Sequence, residues 1–144
     1  MRASVPPLLR RAAAVPAVSA VAAGGGSSTA ATAVKNGVPM EVTLDHSRIR
    51  ILHTTVPYGS SALADLERVA HAGTAYGGKF VTSIDVHGKD VSISTYWLIY
   101  VNCRPAQVGA ADITVRRGDR IWWDLRRTSG ALPTGPDPAC PFPR

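Results

Sequence analysis

Ser60-Ser61-Ala62-Leu63-Ala64-Asp65-Leu66-Glu67-Arg68-Val69-Ala70-His71 is the stretch of this chain that carries helical periodicity. Leu63, Leu66, Val69 and Ala70 fall at i, i+3, i+6 and i+7, an apolar stripe that faces a core. Ser60 and Ser61 are N-cap residues. Asp65 and Glu67 sit toward the end where the helix dipole favours anions, and Gly73 is a natural stop. Around this one helix the sequence reads as strands, and that contrast decides the fold class.

On the N-terminal side, Met40 to Asp45 alternates, with Met40, Val42 and Leu44 on one face and Glu41, Thr43 and Asp45 on the other. His46-Ser47 makes a turn, and Ile49 to Val56 is rich in β-branched residues, so the pair is expected to form a hairpin. On the C-terminal side, Phe80 to Ile84 is a short strand, His87 to Asp90 a turn, and Trp97 to Val101 an apolar, central strand. Asn102-Cys103 begins a turn, and Ile113 to Val115 leads to the turn Arg117-Gly118-Asp119-Arg120. Ile121 to Leu125 closes the sheet. The expected architecture is α+β and β-grasp-like, with one helix packed on a mixed four- to five-stranded sheet.

The two ends of the chain read differently. Met1 to Ala22 has a basic stretch ending at Arg10-Arg11, an apolar run, and the small-x-small ending Ala20-Val21-Ala22. That is the pattern of a cleaved export signal, and the run is too short to span a bilayer. Residues 23–37 are Gly-, Ser-, Thr- and Ala-rich, a flexible linker. The domain is expected over 38–127, and 128–144 is a Pro-rich tail in which helix and central strand are forbidden. Export places Cys103 and Cys140, the only two cysteines, in an oxidising compartment, where they pair or remain as free or intermolecular thiols.

With 16 basic and 10 acidic residues the formal charge is +6; without Arg2, Arg10 and Arg11 there remain 13 against 10, or +3. That balance argues against nucleic acid as a partner. His46, His53, His71 and His87 lack metal-site spacing, and no nucleophile elbow, zinc-protease motif, Cys-x-x-Cys or phosphate loop occurs. Neither an enzyme, a metal nor a cofactor is expected. What stands out is aromatic: seven of nine aromatics lie between Tyr76 and Trp123. Strand alternation forbids Trp97 and Tyr100, or Trp122 and Trp123, from sharing a face. At least one ring of each pair therefore lies away from the core side, where rings beside glycines either offer a stacking platform or, if that face is covered too, are structural.

Several blocks taken in order carry a family resemblance. They are Gly59 to Leu66, Tyr76-Gly77-Gly78-Lys79-Phe80, Tyr96-Trp97-Leu98-Ile99-Tyr100-Val101-Asn102, Gly109 to Asp112, and Gly118-Asp119-Arg120-Ile121-Trp122-Trp123. This series resembles the transcobalamin-like C-terminal domain family, and is closest to its actinobacterial secreted members of unknown function. The resemblance implies a β-grasp fold. It also implies that ligand-side loops lie around Tyr76, Gly77, Gly78, Phe80, Tyr96 and Trp97, where the animal carriers close over a corrinoid. Cys103 stands where the family has a glycine after Val-Asn. The expected function is an exported, non-enzymatic module that binds a soluble, corrinoid-like ligand through Tyr76, Gly77, Gly78, Phe80, Tyr96, Trp97 and Trp123. The alternative is a cell-envelope adaptor that uses an open sheet edge or the Trp122/Trp123 region. No membrane span is expected in the mature protein.

Overall fold

The computed structural model describes residues 34–129 and 134–143. The expected export signal (1–22) and residues 23–33 of the expected linker lie outside the described residues. Strands β1 (Val38–Leu44) and β2 (Ile49–Val56) form the N-terminal hairpin, followed by helix α1 (Ala62–Val69). Next come β3 (Ala72–Ala75), β4 (Phe80–Ile84), β5 (Thr95–Val101), β6 (Arg104–Pro105), a 3-10 turn at Ala110–Asp112, and β7 (Ile121–Arg127). The main sheet runs β2-β1-β7-β5-β6, with β1 and β7 parallel at its centre and the other pairs antiparallel. This is the α+β, β-grasp arrangement.

Alternation along the central strands gives the sheet two faces. Val38, Met40, Val42, Trp97, Ile121 and Trp123 point to the helix side, where they pack with Ala62 and Leu66 of α1. Ser61 caps the helix through its Oγ, which accepts from the Ala64 amide at 3.1 Å. The helix ends at Val69, two residues before His71, because Ala70 is already extended. The chain then makes β3, so Gly73 is a strand residue rather than a helix stop. Strands β3 and β4 form a separate two-stranded sheet, and Phe80–Ile84 is not part of the main one. Ile113 to Val115 is likewise not a strand: Thr114 makes an isolated bridge to Ser61.

The opposite face carries Glu41, Thr43, Leu98, Tyr100, Trp122, Asp124 and Arg126. Tyr100 and Trp122 are cross-strand partners whose rings stack at 4.2 Å. Alternation does send them away from the helix, but they make no open platform. The Pro-rich tail lies over them, inserting Phe142 beside Leu98, Tyr100 and Trp122. Cys103 and Cys140 are disulfide-bonded, with Cα atoms 5.4 Å apart. Cys103 has φ +66°, the left-handed conformation that suits the glycine it replaces.

Polar contacts fix this cover. Arg126 donates from Nε to Asp124 at 2.6 Å and from Nη1 to Asp137 of the tail at 2.8 Å. The same guanidinium lies 5.2 Å from the Tyr100 ring and 5.1 Å from the Trp122 ring, in cation–π range. Asp124 also accepts from the Thr43 hydroxyl at 2.6 Å and from the His46 amide at 3.1 Å. It thereby holds the β1–β2 turn, in which Asp45, His46 and Ser47 are all left-handed. Burial pushes the Tyr100 phenol well above its usual range. Burial alone would raise the Asp137 carboxyl, but the Ala139 amide and the Arg126 guanidinium outweigh it and hold it below the usual value.

Two outcomes follow for the tail. Replacing Cys103 and Cys140 together with Ser is expected to lower stability by about 4 kcal/mol in the chain-entropy picture, measured by urea unfolding of oxidised wild type against the double variant. Because the Asp137 pKa is depressed on folding, its contribution is present above the ordinary value of 3.8 and is lost as pH falls through the lower folded value. Tryptophan fluorescence should therefore report an acid transition below pH 3.8 that Asp137→Asn removes.

Candidate functional site

Strand β6 is only two residues long and pairs only with Tyr100 and Val101, so most of the outer edge of β5 is not covered by it. A cleft of about 200 Å³ opens there. Its walls include Lys79 and, from β4, Phe80, with Tyr96 and Trp97 from β5, Pro105 from β6 and Val108 from the following loop. Proline at the end of an edge strand fits a position where no ladder donor is required. The Phe80 and Tyr96 rings lie 6.4 Å apart and are inclined at 43°, within the range of favourable aromatic pairs. Both are partly exposed. The cleft thus combines mainly apolar walls with Lys79, which enters no ion pair among the described residues.

The β3–β4 hairpin sets the outer wall. Tyr76, Gly77 and Gly78 are successive left-handed residues at its tip. A Cβ on Gly78 would meet Leu63 Cδ2 at 2.7 Å, so the absence of a side chain lets the hairpin pack closely on α1. On the other side of the hairpin, the Ala110 amide donates to the Lys79 carbonyl at 3.3 Å. The seam between the hairpin and the loop before β7 is therefore anchored beside the cleft.

The expected ligand residues divide into three groups. Phe80, Tyr96 and Trp97 come together in the cleft. Tyr76 is 83% exposed at the hairpin tip and, with Gly77 and Gly78, does not line it. Trp123 is 1% exposed in the helix-side core and leaves no surface for a ligand, which removes it from the site. Trp122 is equally buried, under the tail, so the Trp122/Trp123 region offers no adaptor surface. Trp97 is only 4% exposed and is mainly a core residue whose edge reaches the cleft. Lys79, Pro105, Ala106 and Val108 were not foreseen. Their only signal in the sequence is a proline four residues after a predicted central strand.

Other sequence features find structural employment. Both carboxylate oxygens of Asp119 are occupied, by the Asn102 amide at 2.9 Å and the Arg116 main-chain N–H at 2.8 Å. Arg117 lies over Tyr58 at 5.7 Å. The Arg-Gly-Asp tripeptide is thus committed to its own turn. Among the described residues no His, Cys, Asp and Glu cluster could hold a metal ion, and no helix is long and apolar enough to cross a membrane.

Trp97→Ala is expected to act on the core first. It should cost about 3–5 kcal/mol, so thermal unfolding should show a large drop in Tm before any binding assay is informative.

No curated protein matches this chain. Strand β4, strand β5, the loop that walls the cleft and strand β7 all fall within residues 59–127, the stretch that matches the model of the family described as Domain of unknown function (DUF4430), the transcobalamin-like domain family.

Proposed function

We propose that this chain is an exported, non-enzymatic binding module whose cleft beside β5 receives the edge of a flat soluble ligand of corrinoid type. The observation that carries this reading is the convergence of Phe80, Tyr96 and Trp97 on one apolar opening that Lys79 also lines. The cleft volume of about 200 Å³ lies below the roughly 300–1,000 Å³ of sites that enclose a drug-sized molecule. It fits a ring edge rather than a whole macrocycle, and the remainder of such a ligand would stay in solvent or meet a second protein surface. Export is supported by the N-terminal sequence pattern and by the disulfide, which persists in oxidising compartments.

The adaptor reading has one observation in its favour. Strand β2 is eight residues long and, among the described residues, pairs only with β1, leaving an edge open to an added strand. The bulge between Val42 and Thr43 and the charges of Arg48 and Arg50 blunt that edge, so the cleft takes precedence.

Calorimetric titration of oxidised protein with a corrinoid panel tests the proposal. Saturable binding is expected, and Phe80→Ala or Tyr96→Ala should weaken it by about tenfold each, the scale of one lost aromatic contact. Absence of heat from folded protein across the panel would exclude the corrinoid reading, and unchanged affinity in both variants would place the site elsewhere.

A further inference from the structure

The aromatic cleft does not end at Val108. A second opening, of about 420 Å³, is also lined by Val108 and reaches Val101 and Asn102 at the end of β5. Ile99 lines the first opening and Val101 the second, and these two share a face of β5, so the two spaces follow one strand. Val108, 57% exposed, lines both. Their characters differ. The first is walled by Phe80, Tyr96 and Trp97, and the second by Asn102, Asp112, Thr114, Arg116 and Asp119.

Within the second opening the polar groups are of two kinds. Asn102 and Asp119 are spent on each other and on main-chain amides. Asn102 Nδ2 donates to Asp119 at 2.9 Å, its Oδ1 accepts from the Arg120 amide at 3.0 Å, and Asp119 accepts from the Arg116 amide at 2.8 Å. Asp112 and Arg116 are both exposed and, among the described residues, neither side chain enters an ion pair or a hydrogen bond. The Thr114 hydroxyl is likewise without a partner among the described residues. An acceptor, a multiple donor and a hydroxyl are thus gathered around one space without being consumed by one another. Opposed charges that line one opening without pairing suit a neutral ligand rich in both donors and acceptors, since its hydroxyls can donate to Asp112 and accept from Arg116.

We propose that the two openings form one groove for a flat ring system that carries a hydroxyl-rich arm, such as a glycosylated ring, with the ring against Phe80 and Tyr96 and the arm over Asp112, Thr114 and Arg116. This inference rests on the binding reading given above and adds the second half of the ligand. A purely apolar ring would leave the polar opening hydrated, and a free sugar would leave the aromatic one empty. Joining the two halves makes the second contact intramolecular, so the conjugate gains over either part alone.

The test compares 4-methylumbelliferone, its β-D-glucoside and free glucose as probes for the oxidised protein, followed by umbelliferyl fluorescence and calorimetry. The glucoside is expected to bind at least tenfold more tightly than umbelliferone, and glucose alone not measurably. Asp112→Asn combined with Thr114→Val should bring the glucoside back to the umbelliferone value while leaving umbelliferone unchanged. Phe80→Ala should weaken both. If umbelliferone binds in a Phe80-dependent way but the glucoside is no tighter, the polar half of the groove is wrong and the aromatic cleft stands. If neither probe binds folded protein, the groove falls, and the cleft reading is decided separately by the corrinoid titration.

Discussion

The buried run Asp124–Arg126–Asp137 is the constraint around which this domain closes. A guanidinium inside a protein is tolerated only when its charge is balanced by close, hydrogen-bonded partners; in Arg126 these meet Nε and Nη1, while Nη2 is buried without a partner among the described residues. Here the two carboxylates come from different parts of the chain, one from β7 itself and one from the tail, at 2.6 and 2.8 Å. The stacked rings of Tyr100 and Trp122 both lie within cation–π range of the same group. Asp124 passes the constraint on to Thr43 and to the β1–β2 turn, while the disulfide fixes the far end of the tail. Without the tail, a stacked Tyr–Trp pair and half of an ion network would face water. With it, a small domain gains a second apolar cluster that the helix cannot supply.

That arrangement also explains where recognition can occur. The helix covers one face of the sheet and the tail covers the other, so the remaining access to large side chains is at the rim. At the β5 edge the short β6 leaves a gap, and the β3–β4 hairpin leans over it, held by the close approach of Gly78 to Leu63. Phe80 and Tyr96 are partly exposed as a result of this topology, whereas the larger tryptophans are consumed by the two clusters.

How far the sequence disclosed this can be judged from particular residues. The helix, the first hairpin and strands β5 and β7 were readable because their patterns of period 3.6 or 2 are local. The facing of Trp122 and Trp123 in opposite directions was readable for the same reason. Their burial was not, because covering the second face depends on residues 137–142, which lie in proline-rich sequence with no periodicity of their own. The β3 strand, Ala72-Gly73-Thr74-Ala75, escaped notice since small residues carry no hydrophobic alternation and its glycine mimics a helix stop. The cleft was half foreseen. Phe80, Tyr96 and Trp97 are conspicuous, but Lys79, Pro105 and Val108 acquire meaning only through the folding of three separate segments onto one edge.

The parallel pairing of β1 with β7 has a kinetic side. The two strands at the centre of the sheet are the first and last of the domain, and the Thr43–Asp124 contact spans 81 positions of sequence. Neither can find its central partner until nearly the whole chain is present, and closing so large a loop is entropically costly before any contact repays it. A chain emerging N-terminus first would therefore hold the β1–β2 hairpin and α1 without a sheet to rest on until β7 appears. During that interval the apolar edge of β1 is unpaired, and the blunting of β2 by Arg48, Arg50 and the bulge protects only the other side of the hairpin. Such an order of events makes folding a late, concerted step that waits on the C-terminal strand.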